Sequence, residues 1–387
     1  MPETPDPRND PGTDPATIED HEHEPAGTST GLTVATEPGF PAADAVSPLS
    51  GLHPVFFGSD GLRAGWGLLL FFALFLASVV CSGVLLQAVA NRIHGHPPTA
   101  AAQSRAAAIA AGMSPKSVFA SEGLTVFSVA FATLVMAKVE RRKISAYGFN
   151  RQSRLRSFST GLACGVALLS LLIVLLRAAG WLVFDARLLF GGSILHYGFV
   201  WAGGFLLVSI AEESTTRAYA QFTLTRGLSA IYRLLFGQSE AKANALGFWT
   251  AAILLSFHFG YEHRTNPGES PLGLLSAGLA GFLFCFSLWR TGSLWWALGF
   301  HAAWDWAQSF LYGVADSGLM VKGHLFATHP VGRPFLSGGL TGPEGILLLL
   351  PIVAVGAIAV VLTLPRTHLG YVPAIPVPHA AEKAPSR

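Results

Sequence analysis

Apolar residues run in eight long stretches after Arg63, at about 65–91, 118–137, 158–183, 197–220, 245–261, 271–289, 293–313 and 344–364. Each is near or above the roughly 18–20 residues that a helix needs to span a bilayer. The pattern predicts eight transmembrane helices. The fourth and seventh stretches are less hydrophobic than the rest because polar residues interrupt them. Trp295-Trp296 opens the seventh, and its Trp304, Trp306 and Tyr312 suit a membrane interface or a helix contact. Residues 1–55 follow another pattern. They are rich in Pro, Gly, Thr and acid, with little to bury, which predicts a disordered tail. No basic segment followed by an apolar core opens the chain, so a cleavable signal peptide is not expected. The remainder divides into N-terminal transmembrane helices with a basic link (56–190), a helical core (191–315), and a last helix with a C-terminal tail (316–387).

Composition agrees with the pattern. Of 387 residues 51% are hydrophobic and 12% charged, and the mean hydropathy is +0.46. A soluble domain carries about 25% charged residues. The expected fold class is therefore an all-α polytopic membrane protein with a helical-bundle core. A net charge of +2 argues against nucleic acid as a partner. Cys81, Cys164 and Cys285 lie in apolar stretches without metal-knuckle spacing and read as small packing residues.

Charge distribution changes the picture more than its sum does. The link between the second and third stretches holds Lys138, Arg141, Arg142, Lys143, Arg151, Arg154 and Arg156 against Glu140. The positive-inside rule places this link, and with it Arg226, Arg233, Lys242 and both termini, in the cytoplasm. Arg92, Arg105 and Lys116 oppose that reading, but the denser cluster decides.

Within the fourth, fifth and seventh stretches stand Glu212-Glu213-x-x-x-Arg217, then His258, then His301-x-x-x-Asp305. A charge near the bilayer centre costs roughly 2.5–3.5 kcal/mol. Four of them facing lipid would cost on the order of 10 kcal/mol, so a polar site between helices is expected. Residues four apart on a helix share a face. Glu213 can thus pair with Arg217, and His301 shares a face with Asp305. Glu212 lies about 100° away from Glu213 and can point into a separate cavity. With His258 from the fifth stretch, three helices converge on one point. Carboxylates beside histidines can activate water, with or without a metal. His258 and His301 with Glu212 make an adequate zinc set, to which Asp305 adds a further oxygen, while a metal-free glutamate base with a histidine-bound oxyanion is also coherent.

The combination resembles the CAAX protease and bacteriocin-processing (CPBP) family of intramembrane proteases, which includes the CAAX prenyl protease 2 and lysostaphin-resistance-protein-A-like domains. That family is marked by EExxxR, FxxxH and HxxxN or HxxxD on successive helices. The likeness covers roughly residues 197–313, with Leu254 in place of the phenylalanine before His258 and Asp305 within the family's variation. The link ending Tyr147-Gly148-Phe149-Asn150-Arg151 looks like the juxtamembrane segment that many members carry. The resemblance implies a membrane-embedded endopeptidase. Glu212 would be the general base, His258 and His301 would position water or Zn²⁺ and stabilise the oxyanion, and Asp305 would complete the site. Glu213 and Arg217 would support it from behind. Eukaryotic members remove a C-terminal tripeptide from prenylated proteins, so a peptide or protein substrate, lipidated or membrane-bound, is implied, with lipid around it.

Other features read as incidental. His21-Glu22-His23-Glu24 belongs to a solvated tail, Glu262, His263 and Glu269 to an exposed turn, Glu122 to a helix start and His196 to an interface. HExxH and GxGD sequences are absent, and Gly191-Gly192-Ser193 lacks a suitable histidine partner. Rival readings are a silent scaffold or immunity factor of the same fold, and an ion-coupled transporter, which would favour internal repeats that the chain lacks. Counting residues from the expected segment ends places the site in the inner half of the membrane, with its cavity open to the cytoplasm.

Overall fold

The computed structural model describes residues 53–58, 61–94, 112–151 and 153–366. The tail expected over 1–55, except its last three residues, lies outside them, as do His21–Glu24 and Arg105. Nine helices carry the described chain: α1 (Ala64–His94), α2 (Pro115–Val139), α3 (Arg154–Ala178), α4 (Gly192–Glu213), α5 (Gln221–Phe236), α6 (Glu240–Glu262), α7 (Pro271–Thr291), α8 (Trp295–Asp305) and α9 (Leu349–Thr363). Six helical stretches are long and apolar enough to cross a membrane. The protein is an all-α polytopic membrane protein.

Local sequence sets the helix ends. Ser114 caps α2 reciprocally with Ser117 ahead of Pro115, and Ser270 caps α7 ahead of Pro271. Gly237 and Gly292 stop α5 and α7 in the left-handed conformation, which costs glycine nothing. The fourth apolar stretch, expected to end at 220, instead belongs to a 45-residue helical run, Gly192–Phe236. Hydropathy falls after Ala220, but no proline intervenes before Gly237, and Gly227 stays helical where α5 packs closely on Ala64. The polar residues of α5 find partners against α6: the Gln221 amide donates to the Phe248 carbonyl at 3.1 Å. Two π-helical turns interrupt the regular pitch, Ser214–Ala220 between α4 and α5 and Trp306–Leu311 after α8.

The bundle has two chemically distinct ends. The link between α2 and α3 marks one. There Arg226 on α5 donates to the Leu62 carbonyl and pairs with Glu140, while Arg290 at the end of α7 donates to the Leu364 carbonyl beyond α9. The start of α1 and the end of α9 therefore lie with the link. The Tyr147–Asn150 segment is docked there: the Asn150 amide donates to the Gly292 carbonyl, and the Trp295 indole to the Asn150 carbonyl. The opposite end gathers the starts of α2, α4, α7 and α9, the end of α6, and a two-stranded antiparallel sheet of β1 (Leu182–Arg187) and β2 (Phe326–Pro330).

Close backbone approach fixes α8 against α3. A Cβ at Gly161 or Gly165 would collide with the carbonyls of Trp296 or Phe300, and one at Gly299 with the Phe158 carbonyl. Small residues four apart permit such contact in membranes, where dispersion replaces the hydrophobic effect as the force between helices. This seam holds the backbone on which His301 stands.

Candidate active site

α4 and α8 meet through short polar contacts. The Ser209 hydroxyl donates to the Leu298 carbonyl at 2.9 Å, which registers one helix on the other. One turn further, His301 Nδ1 lies 2.9 Å from Glu213 Oε1. A carboxylate only accepts, so Nδ1 carries the proton and Nε2 faces away with its lone pair or its second proton. Glu213 is fully buried and also pairs with Arg217 one turn below. The Arg217 guanidinium donates through Nε to the Gly281 carbonyl at 3.3 Å and lies 4.4 Å over the Phe259 ring. The expected pairing of Glu213 with Arg217 is present, and it orients His301.

Glu212 points the other way. At 36% exposed, its side chain reaches a cavity of about 210 Å³ that His301 and Asp305 also line. His301 Nε2 stands 3.6 Å from Glu212 Oε2 and 3.4 Å from Asp305 Oδ2. Both separations are longer than an ordinary hydrogen bond, and the three polar groups face one another at the cavity. Phe284, whose ring stacks on His301 at 5.4 Å, closes one side. A π turn follows each carboxylate helix immediately, after Glu213 and after Asp305. Such turns recur where side chains must be re-aimed at functional sites.

The structure does not bring His258 to this cavity. Its side chain is 51% exposed on the outer face of α6 and approaches Glu262, at 3.8 Å. One residue further on, about 100° around the helix, α6 aims Phe259 inward, and His263 follows one helical turn later. Both line the cavity, and their spacing is Phe-x-x-x-His. The departure at Leu254 thus arises from aligning the motif five residues early, where the apolar stretch still seemed unbroken. His263, expected in an exposed turn, is half-buried, and its Nδ1 donates to the Phe259 carbonyl at 2.8 Å. That bond fixes the tautomer and leaves Nε2 available. The Phe259-to-His263 spacing was the available sequence signal.

The zinc set expected from sequence does not assemble. With His258 outside, no group of three His, Cys, Asp or Glu among the described residues is arranged to hold a metal ion. His301 Nδ1 is committed to Glu213. Its Nε2 faces Glu212 and Asp305, and a histidine that ligates a metal through one nitrogen commonly donates the other N–H to a carboxylate.

The cavity lies toward the end of the bundle opposite the basic link. Met113 ahead of α2, His263 and Asn266 after α6, Asp316 and Ser317 after α8, and Glu344 ahead of α9 all line it. This reverses the expected opening on the side of the link. His263 just past the end of α6, where His258 within the helix was expected, and the segments ahead of α2 and α9 set where the cavity lies. Glu122, expected to be an ordinary helix-start carboxylate, lines the cavity too.

No match was found among curated proteins or among solved structures. The part of the chain that carries Glu212, His263, His301 and Asp305, residues 194–307, matches the family model of the Rce1-like proteins, described as type II CAAX prenyl endopeptidase Rce1-like.

Proposed function

We propose that the protein is an intramembrane endopeptidase of the CAAX-processing type, which hydrolyses a peptide bond with water activated by Glu212. The carrying observation is the division of labour between adjacent glutamates: Glu213 is buried and fixes one nitrogen of His301, while Glu212 reaches the cavity beside the other. Glu212 takes a proton from water as the oxygen bonds to the peptide carbonyl carbon. With both rings protonated, the oxyanion is stabilised by the Nε2–H groups of His301 and His263, whose Nδ1–H groups are held by Glu213 and the Phe259 carbonyl. The intermediate collapses by breaking the C–N bond, and the proton held by Glu212 passes to the leaving amine. Asp305 holds His301 Nε2 from the far side. The Rce1-like match supports peptide hydrolysis over a scaffold or a transporter.

Glu212→Gln keeps shape and hydrogen bonding but removes the proton acceptor. Cleavage of a membrane-reconstituted peptide should fall by about 10²-fold or more. Activity within a few-fold of the parent would remove Glu212 from the mechanism.

With the basic link in the cytoplasm, the cavity opens to the other face. Ser317→Cys in an otherwise cysteine-free protein should then react with a membrane-impermeant thiol reagent from the non-cytoplasmic side alone. Labelling from the cytoplasmic side would reverse this orientation.

A further inference from the structure

Hydrolysis needs Glu212 and the histidines around it, yet the cavity holds more carboxyl groups than that. Glu122 from α2, Asp316 from the segment after α8, and Glu344 ahead of α9 line it together with Glu212 and Asp305. Among the described residues lining the cavity there is no lysine or arginine, and the basic side chains are His263 and His301. Neutral donors partner the extra carboxylates only in part. Ser121 donates to Glu122 at 3.0 Å, the Ser309 hydroxyl to Asp316 at 3.2 Å, and the Ser317 N–H and hydroxyl to Glu344. Burial pushes the Asp316 carboxyl well above the usual aspartate range, and Asp305 and Glu344 push it further.

A second observation is independent of charge. Ser276 on α7 is 1% exposed, lines the same cavity, and its Oγ has no hydrogen-bond partner. A buried hydroxyl left in that state costs about 1–3 kcal/mol. A ligand that brings a polar group into the cavity relieves that cost.

We propose that this cavity receives a cationic side chain, lysine or arginine, from the peptide substrate next to the bond to be cleaved. The proposal rests on the hydrolytic reading of the same site. A bare metal ion fits less well, because no three of the acidic and histidine side chains among the described residues are grouped as ligands. Carboxylates spread over three elements suit a charge at the tip of a flexible stem. The apolar lining of Phe205, Leu319, Leu349 and Ile352 would cover the methylenes of that stem.

The test uses full-length protein in liposomes and internally quenched peptides that differ only by lysine, norleucine or glutamate at successive positions. At one position lysine should raise kcat/KM about 10-fold over norleucine, with glutamate last. In Glu122→Gln/Asp316→Asn the lysine-to-norleucine ratio should fall toward 1, and each single variant should lower it in part. Equal cleavage of all three peptides at every position would overturn the proposal while leaving hydrolysis intact. Binding separates the two ideas further. In Glu212→Gln protein the lysine peptide should raise Tm more than the norleucine peptide, even if no peptide is turned over. A Tm shift with Zn²⁺ or Ca²⁺ alone, and none with the lysine peptide, would overturn the proposal in favour of a metal site.

Discussion

At the end of the bundle that bears the basic link, one buried carboxylate is surrounded by cations. Glu140 pairs with Arg142 and Arg226, each at 3.3 Å, and accepts from the Tyr219 hydroxyl at 2.9 Å. At the other end five carboxylates line a single cavity without a lysine or arginine among its described lining residues. The residue types are the same, yet one set is matched by charge and the other is not. A matched carboxylate holds helices together. An unmatched group stores an electrostatic demand that an incoming ligand can meet, at the cost of stability while the cavity is empty. Glu213 stands between these cases: Arg217 matches it, and through His301 it serves the unmatched side.

The most severe way to break this contrast is to remove a matched cation. Arg217→Leu leaves Glu213 buried beside a histidine alone and should destabilise the protein by about 3–5 kcal/mol, seen as a lowered Tm in detergent. A milder pair of changes sharpens the contrast by sign. Glu140→Gln removes the carboxylate charge that Arg142 and Arg226 share and should cost on the order of 3 kcal/mol. Asp316→Asn should instead stabilise by about 1 kcal/mol at neutral pH. An acid whose pKa is raised on folding penalises the fold as pH rises above its unfolded value, and asparagine removes that penalty. Parallel unfolding curves for both variants decide it, and a loss of stability in Asp316→Asn would contradict the unmatched-charge reading. The smallest effect compares two histidines five residues apart, one on α6 and one just past its end. His263→Ala should lower kcat/KM by about 10-fold, whereas His258→Ala, on the outer face, should stay within about 2-fold of the parent.

Apolar stretches revealed the helices because a lipid-facing helix must be hydrophobic along its whole length. The four-residue spacings of Glu213 with Arg217 and His301 with Asp305 were legible for the same geometric reason, since a helix turns local spacing into contact. His263 was obscured because it lies past the apolar stretch, within a polar run that resembles a surface turn. Asp316 and Glu344 carry no local signal; only the return of the chain between α8 and α9 brings them to the cavity. The continuation of α4 into α5 was hidden because hydropathy marks where a helix leaves lipid, not where it stops.

α9 has a consequence for the lipid itself. Its 15 residues rise about 22 Å, well short of a hydrocarbon core about 30 Å thick. Its far end is tied to the link side through Arg290 and Leu364, so the shortfall accumulates at Leu349, on the rim of the cavity. A bilayer meets such a mismatch by thinning locally, at a fraction of a kcal/mol per ångström. Thinning there would draw headgroups and water down beside the start of α9, whose Leu350 faces outward. The enzyme would gain a dimple in the membrane through which a hydrophilic segment can arrive without crossing a full leaflet.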